Sequence, residues 1–244
     1  MGESRTNAIT MKSAFIHVTT KPSATVTFVK GGSTYSTKTA NSSGIADLEV
    51  PFRDWGAFTI NGSWSQSGIS NAATGSGSVT ISAATTYNVS VALKWYLIQS
   101  GNWTGFSHTY HGADHPDFRD EGDYIWLSND VWSNPSLNGY TSGYFTNAIS
   151  VDDWKTMVID FQGRGESDHM GLVTDTSQNQ ASFTNSVRLV YQKGTGYTTR
   201  ATQTLDITSA TGTKYVALRV HANYSPGYSD WPGDLRVYNL YLQS

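Results

Sequence analysis

Apolar and polar positions take turns from Ile16 to Thr19, and a period of two recurs along the chain. A period of two sends successive side chains to opposite faces of a strand, so runs of this kind predict half-buried β-strands. Up to Lys94 they fall at residues 14–19, 25–30, 33–38, 45–51, 57–64, 77–82 and 88–93. Lys30-Gly31-Gly32 and Asn41-Ser42-Ser43-Gly44 supply turns between them. Seven short strands at this spacing predict a small β-sandwich over residues 13–94. Residues 1–12 are polar and read as a flexible arm or tag remnant, without the hydrophobic stretch of a signal peptide.

Beyond Lys94 the strands are spaced more widely. They are predicted at residues 95–98, 124–128, 143–149, 156–161, 170–175, 187–192, 201–207, 215–222 and 235–242. Long loops are predicted over 104–122 and 130–141. Loops of that length inside a compact domain are usually functional. The pattern fits a two-sheet jelly roll over residues 95–244. The fold class is therefore all-β: a small N-terminal β-sandwich followed by a larger jelly-roll β-sandwich. No window shows a sustained helical period, and only Ser150 to Asp153, ahead of Trp154, hints at one turn. No linker separates the two units; residues 91–98 read as one strand running into the next, so a stiff junction is expected.

Composition narrows the function. Charged residues make up only 14% of the chain, and Ser, Thr and Asn carry the polar positions, as is common in extracellular and virion β-proteins. The net charge of −3 is unevenly divided. Up to Lys94 there are seven Lys/Arg and four Asp/Glu; beyond it, nine and fifteen. An acidic second unit argues against nucleic acid or an anionic membrane as its partner. Cysteine is absent, which excludes a disulfide, a thiolate zinc site and a cysteine nucleophile. No apolar run approaches the roughly 18–20 residues of a membrane span, so membrane insertion is not expected.

Two resemblances follow from particular residues. The turn Thr39-Ala40-Asn41-Ser42-Ser43-Gly44-Ile45-Ala46, followed by the strand Gly56-Ala57-Phe58-Thr59-Ile60, resembles the carboxypeptidase regulatory-like (prealbumin-like) β-sandwich, with Phe58 where that family has Tyr. That resemblance implies a spacer or docking unit that meets other virion or surface proteins. The stretch from Tyr144 through Trp154 to Asp160 looks like a corner of the jelly-roll modules in phage minor tail and baseplate proteins. Residues 215–220, with Val237-Tyr238-Asn239-Leu240-Tyr241 as last strand, are similar to those modules and to carbohydrate-binding jelly rolls.

All but four of the Trp and Tyr residues (Tyr35, Trp55, Trp64 and Tyr87) lie beyond Lys94, many in turn-like sequence. Rings in loops suit stacking on sugars. Trp103, Tyr110, Trp132, Tyr140, Tyr228 and Trp231, with His111 as a hydrogen-bond donor, are the candidate carbohydrate-binding residues; Trp126 and Trp154, in strand or corner sequence, are expected in the core. Asp114, Asp117, Asp120, Glu121 and Asp123 form an acidic loop that would offer oxygen ligands to a structural calcium, although the spacing is not that of an EF-hand; a solvated acidic loop is the alternative. His108, His111 and His115 sit too loosely for a zinc site. Asp160, Glu166 and Asp168 would be the carboxylates of a glycosidase or lyase if two of them faced each other across a cleft, or else exposed turn charges. No hydrolase, zincin or phosphate-binding motif is present.

The expectation is a non-catalytic glycan-binding or adhesion protein, in a phage or prophage tail or on a bacterial surface, whose partner is a cell-surface polysaccharide. The alternative is a purely structural virion or surface protein, with the aromatic loops buried in a homo-oligomer or against neighbouring subunits. A glycoside hydrolase or lyase is the third.

Overall fold

The computed structural model describes residues 12–112, 116–129, 139–164, 168–178, 180–189, 197–222 and 233–244. The chain divides into two compact units. One is built from residues up to Trp64 together with Thr74–Leu93, the other from Ser65–Ala73 together with the residues from Lys94 on. Among the described residues no helix is long and apolar enough to cross a membrane.

The first unit holds seven strands: β1 (Ser13–Thr19), β2 (Thr25–Lys30), β3 (Ser33–Thr39), β4 (Ile45–Pro51), β5 (Gly56–Trp64), β6 (Ala73–Ile81) and β7 (Thr86–Ser90). They form two layers. In one, β1 lies between β4, its antiparallel partner, and β7, its parallel partner. In the other the order is β3-β2-β5-β6. Alternation fills the space between them: Ile16, Val18, Leu48 and Val50 from the first layer meet Val26, Phe28, Phe58 and Ile60 from the second, all buried. The turn before β4 is held by Asn41, whose Oδ1 accepts the backbone N–H groups of Ser43 (2.9 Å) and Ile45 (3.0 Å). Gly44 closes this turn at φ 74°, where an added Cβ would run into the Thr20 carbonyl. The sixth strand begins four residues earlier than the alternation suggested. Thr74-Gly75-Ser76-Gly77 looks like a turn, but Gly75 is in the strand because the Ala92 carbonyl lies where its Cβ would be.

The second unit contains β8 (Lys94–Gln99), β9 (Asn102–Trp103), β10 (His108–Gly112), β11 (Pro116–Asp120), β12 (Ile125–Asn129), β13 (Gly139–Phe145), β14 (Ile149–Ser150), β15 (Thr156–Arg164), β16 (His169–Val173), β17 (Phe183–Arg188), β18 (Ala201–Asp206), β19 (Thr213–Ala222) and β20 (Gly233–Gln243). The front sheet has the order β10-β13-β19-β16-β17, with β14 on the end of β19. In the back sheet β18 pairs with β15 and β15 with β20 along most of its length. The other side of β20 is shared, with β12 against its first half and β8 against its second. β11 extends the sheet beyond β12, and β9 beyond β8. The core between the sheets includes Trp95, Leu127, Phe145, Trp154, Phe161 and Leu218, all buried.

Four expectations are corrected. The loop expected over 104–122 contains two strands, β10 and β11. Each is the outer strand of its sheet, and of β11 Phe118 goes fully into the core, so Gly112, Pro116, Asp117 and Asp120 hide the alternation. The strand expected at 143–149 starts earlier, at Gly139, and the one expected at 187–192 starts earlier too, at Phe183, with 190–192 outside the described residues. The single helical turn expected ahead of Trp154 is a tight turn, with Asp153 at φ 62° and the Trp154 N–H bonded to Val151 O at 3.2 Å. Most of the second expected loop, 130–138, lies outside the described residues.

Candidate functional site

Strand β19 reads Tyr215-Val216-Ala217-Leu218-Arg219-Val220-His221. Val216, Leu218 and Val220 are buried between the sheets. The alternate residues Tyr215, Ala217, Arg219 and His221 therefore point to the outward face of the front sheet. Strand register decides what they meet. Arg219 pairs with Ser142 of β13 on one side and His169 of β16 on the other; Ser142 in turn pairs with His111, and His169 with Arg188. One row across all five strands thus reads His111, Ser142, Arg219, His169, Arg188. In the next row Tyr140 is paired with His221.

Part of this outward face is covered. Tyr144, Val173 and Ala217 form a small apolar cluster capped by Ala181, with Phe183 and Tyr215 packed beside it. The capping segment is tied down by polar bonds. The Tyr144 hydroxyl donates to the Gln178 carbonyl at 2.6 Å, and the Ala181 N–H donates to Ser142 Oγ at 2.9 Å. Burial pushes the Tyr144 hydroxyl above its ordinary range, so it stays a neutral donor. Beside the cap is an open depression of about 460 Å³ lined by Gln178, Gln180, Ala181 and Ser182.

Arg219 links cap and open face. Its guanidinium carbon lies 4.7 Å from the Tyr140 ring centroid and 5.2 Å from that of Phe183. Its Nη2 donates to His169 Nδ1 at 3.0 Å, and Nη1 to the Ala181 carbonyl at 3.4 Å. Donation to Nδ1 leaves the other ring nitrogen of His169 to carry the proton. Burial lowers the Arg219 pKa, against the opposing influence of Tyr140, Asp168 and Tyr144. Asp168 is buried, and its Oδ1 accepts the His221 backbone N–H at 2.9 Å. The Tyr140 and His221 rings lie 4.4 Å apart. The result is a set of planar groups with several N–H and O–H donors, each oriented by ring packing.

Of the expected sugar-binding residues, Tyr140 and His111 are on this face. Tyr110, 42% exposed, is on the same edge strand as His111 but pairs with Gly143, so it alternates to the other side of β10. Trp103 is not on the outward face either. It stacks on His108 (4.1 Å, 6° between planes) and meets Phe118 and Phe145 edge-on at 5.0 and 5.5 Å, which makes it part of the aromatic packing at the core margin. Burial lowers the His108 pKa, against a backbone hydrogen bond to Phe118 that raises it. Trp132, Tyr228 and Trp231 lie outside the described residues. The strand ends that flank their segments are described: Asn129 pairs with Gly233, and Gly139 with Ala222, beside Tyr140 and His221. Arg219, His169 and His221 were not anticipated. The alternation in β19 puts Arg219 and His221 on the polar face, but their cross-strand partners depend on register, which one strand's sequence does not carry.

The acidic segment is organised around a cation of the chain itself. Arg119 pairs with Asp117 at 2.9 Å and with Glu121, while Asp120 Oδ1 accepts the Gly122 N–H at 2.6 Å. Among the described residues no group of three or more acids or histidines is placed to hold a metal ion. Of the expected calcium ligands Asp114, Asp117, Asp120, Glu121 and Asp123, the last four are described and belong to no such group; Asp114, like His115, lies outside the described residues. Of the glycosidase candidates, the two described carboxylates, Asp160 and Asp168, belong to different sheets. Asp160 is in the back sheet, held by Arg200 and by Asn239 Nδ2 at 2.9 Å, whereas Asp168 leads into the front sheet; Glu166 lies outside the described residues.

The outward face of the back sheet uses its aromatics differently. Trp126, expected in the core, is half-buried beneath the Arg119 guanidinium at 4.7 Å. Arg236 lies between the rings of Tyr124 (4.7 Å) and Tyr197 (3.6 Å), and Arg200 lies 3.9 Å from Tyr238. Such cation–π contacts are worth about 0.5–2 kcal/mol each. Trp154 is in the core as expected, at 1% exposure.

No protein-family model matches the chain, and no curated protein matches it. Solved structures similar to it include a family 29 carbohydrate-binding module (TM-score 0.38, 12% identity, 62% of this chain and 88% of that one). Others are the K3 adhesin domain of Lys-gingipain from Porphyromonas gingivalis (0.34, 16%, 55% and 90%) and a low-affinity xylan-binding module from Roseburia intestinalis (0.33, 10%, 56% and 94%). At these scores the likenesses lend nothing to the reading of the site, which rests on its own geometry.

Proposed function

We propose that the second unit is a non-catalytic glycan-binding module and that the outward face of its front sheet is the binding surface. The observation that carries this is the set of planar donors His111, Tyr140, Arg219, His169 and His221, held beside an open depression whose rim includes Gln178, Gln180 and Ser182. Sugars present hydroxyls around flat apolar patches, and planar polar side chains next to rings bind them through hydrogen bonds and van der Waals contact. The depression lies within the roughly 300–1,000 Å³ of small-ligand sites. The sequence resemblances suggest a phage tail accessory or a surface adhesin, with the first unit as spacer or docking element and a cell-surface polysaccharide as partner.

The test is a glycan array probed with the full chain and with Tyr140→Ala and Trp103→Ala. Binding that falls at least about tenfold in Tyr140→Ala and survives in Trp103→Ala supports this face. No binding to any glycan overturns the function, and equal losses in both variants overturn the location.

The back sheet supports a second reading, assembly. Trp126, Tyr124, Tyr197 and Tyr238, interleaved with Arg119, Arg236 and Arg200, have the composition of a protein interface. Light scattering that gives a stable oligomer, lost in Trp126→Ala, would favour that reading over a monomeric lectin-like module.

A further inference from the structure

We infer that the saccharide taken by the front sheet is anionic, with its carboxylate or sulfate seated at Arg219. This rests on the glycan reading above and names its ligand class.

The first observation is charge placement. The residues beyond Lys94 hold nine Lys/Arg against fifteen Asp/Glu. Even so, the row across the front sheet brings together His111, Arg219, His169 and Arg188, with Ser142 the only other member and no acid among them. Cationic and N–H-donating groups are gathered on one face of a unit that is acidic as a whole.

The second is the environment of Arg219. Arg119, Arg164 and Arg200 each hold a carboxylate: Asp117 with Glu121, Asp234, and Asp160 respectively. Arg219 does not. Its contacts among the described residues are two aromatic rings, an imidazole nitrogen and a carbonyl. Asp168 acts on it through space, with one oxygen engaged by the His221 N–H. A half-buried guanidinium without a contacting anion has lost hydration that Asp168, acting only through space, does not replace by hydrogen bonds. An anion at its outer edge restores that loss through charge-assisted, fork-shaped hydrogen bonds. The rings of Tyr140 and Phe183 hold the fork in place, so little side-chain freedom is lost on binding.

The third is what stands beside it. Tyr140, His221 and the depression lined by Gln178, Gln180 and Ser182 supply further hydrogen-bonding groups next to the charged point. A bare phosphate or acetate would use only the guanidinium. A uronic acid or sulfated sugar would use both.

The test is calorimetric titration of the full chain with polygalacturonate and alginate (carboxylated), heparin (sulfated), and xylan and glucomannan (neutral). At least about tenfold preference for an anionic polymer is expected, lost in Arg219→Gln and partly kept in Arg219→Lys. The carboxylated and sulfated arms identify which anion is read. Removing the anion from the polymer that binds, by reducing uronic acids to neutral sugars or by desulfating heparin, should abolish binding to the wild-type chain, a readout that needs no variant and holds even if Arg219→Gln fails to fold. Equal affinity for neutral polymers, or binding that survives removal of the anion or Arg219→Gln, overturns the inference. Neutral-glycan binding that depends on Tyr140 would overturn it while leaving the glycan reading intact; no binding to any polymer would sink both.

Discussion

The indoles of Trp95 and Trp154 lie 5.7 Å apart between ring centroids with planes 21° from parallel, stacked in the core of the second unit. Trp95 Nε1 also donates to Asn71 Oδ1 at 3.0 Å, which ties the pair to residues 65–73. Removing a ring here leaves a cavity as well as lost apolar burial. Trp154→Ala should therefore cost about 3–5 kcal/mol in urea unfolding. Trp126→Ala, on the outward back-sheet face under Arg119, should cost no more than about 2 kcal/mol. Equal losses would mean that the two rings are not in such different surroundings.

Asp160 should give the unit an acid-sensitive contact. Burial raises its pKa, but hydrogen bonds from Arg200 and Asn239 and the Arg200 charge lower it further, so the net shift is downward. A depressed carboxylate stabilises the fold above its unfolded pKa of about 3.9, and that contribution is lost as pH falls through the folded value. Asp160→Asn should flatten the acid limb of a stability–pH curve below about pH 4, leaving the part due to Asp206, lowered by Thr208, and Asp175, lowered by Ser177. An acid limb identical to that of the wild-type chain would contradict the role given to Asp160.

Gly44 has no room for a side chain. With φ at 74° and the Thr20 carbonyl where a Cβ would go, Gly44→Ala should destabilise the first unit by at least about 1–2 kcal/mol. Gly31→Ala, also at positive φ but with open space around it, should cost about 1 kcal/mol, from the backbone alone. Thermal melts of the two variants should rank in that order.

Calcium should have little to bind at the acidic turn, because Arg119 already occupies Asp117 and Glu121. Adding about 5 mM calcium, or a chelator, should leave the melting temperature within about 1 °C. A rise of several degrees would show that a calcium site forms there after all.

The strands were legible in the sequence wherever one face meets a core. Ile16, Val18, Leu48 and Val50 announce β1 and β4 because nothing but alternation is needed to place them. β10 and β11 were not legible, since an outer strand with one strongly buried residue, Phe118, offers no repeated apolar signal. Ring position was harder still. Trp126 and Trp154 both stand in strand-like or corner sequence, yet one is covered by an arginine and the other by a second indole. Tyr140 and His111 were singled out from loop-like context and prove to be strand residues. Arg219, the centre of the proposed site, is not legible because its meaning depends on Ser142 and His169, 77 and 50 positions away, which only the sheet register brings beside it.

Strand β20 (Gly233–Gln243) also sets an order of events. It is bonded to β15 on one side and to β12 and β8 on the other, so it is an inner strand of the back sheet. While the ribosome is still making earlier residues, β8, β12 and β15 have emerged with a gap between them, and their apolar inner faces have no continuous sheet to close on. Until β20 is made, β8, β12 and β15 lack the strand that joins them, whereas every strand of the first unit lies at or before residue 90. The two units thus have all their strands at different points of synthesis, the second one later than the first.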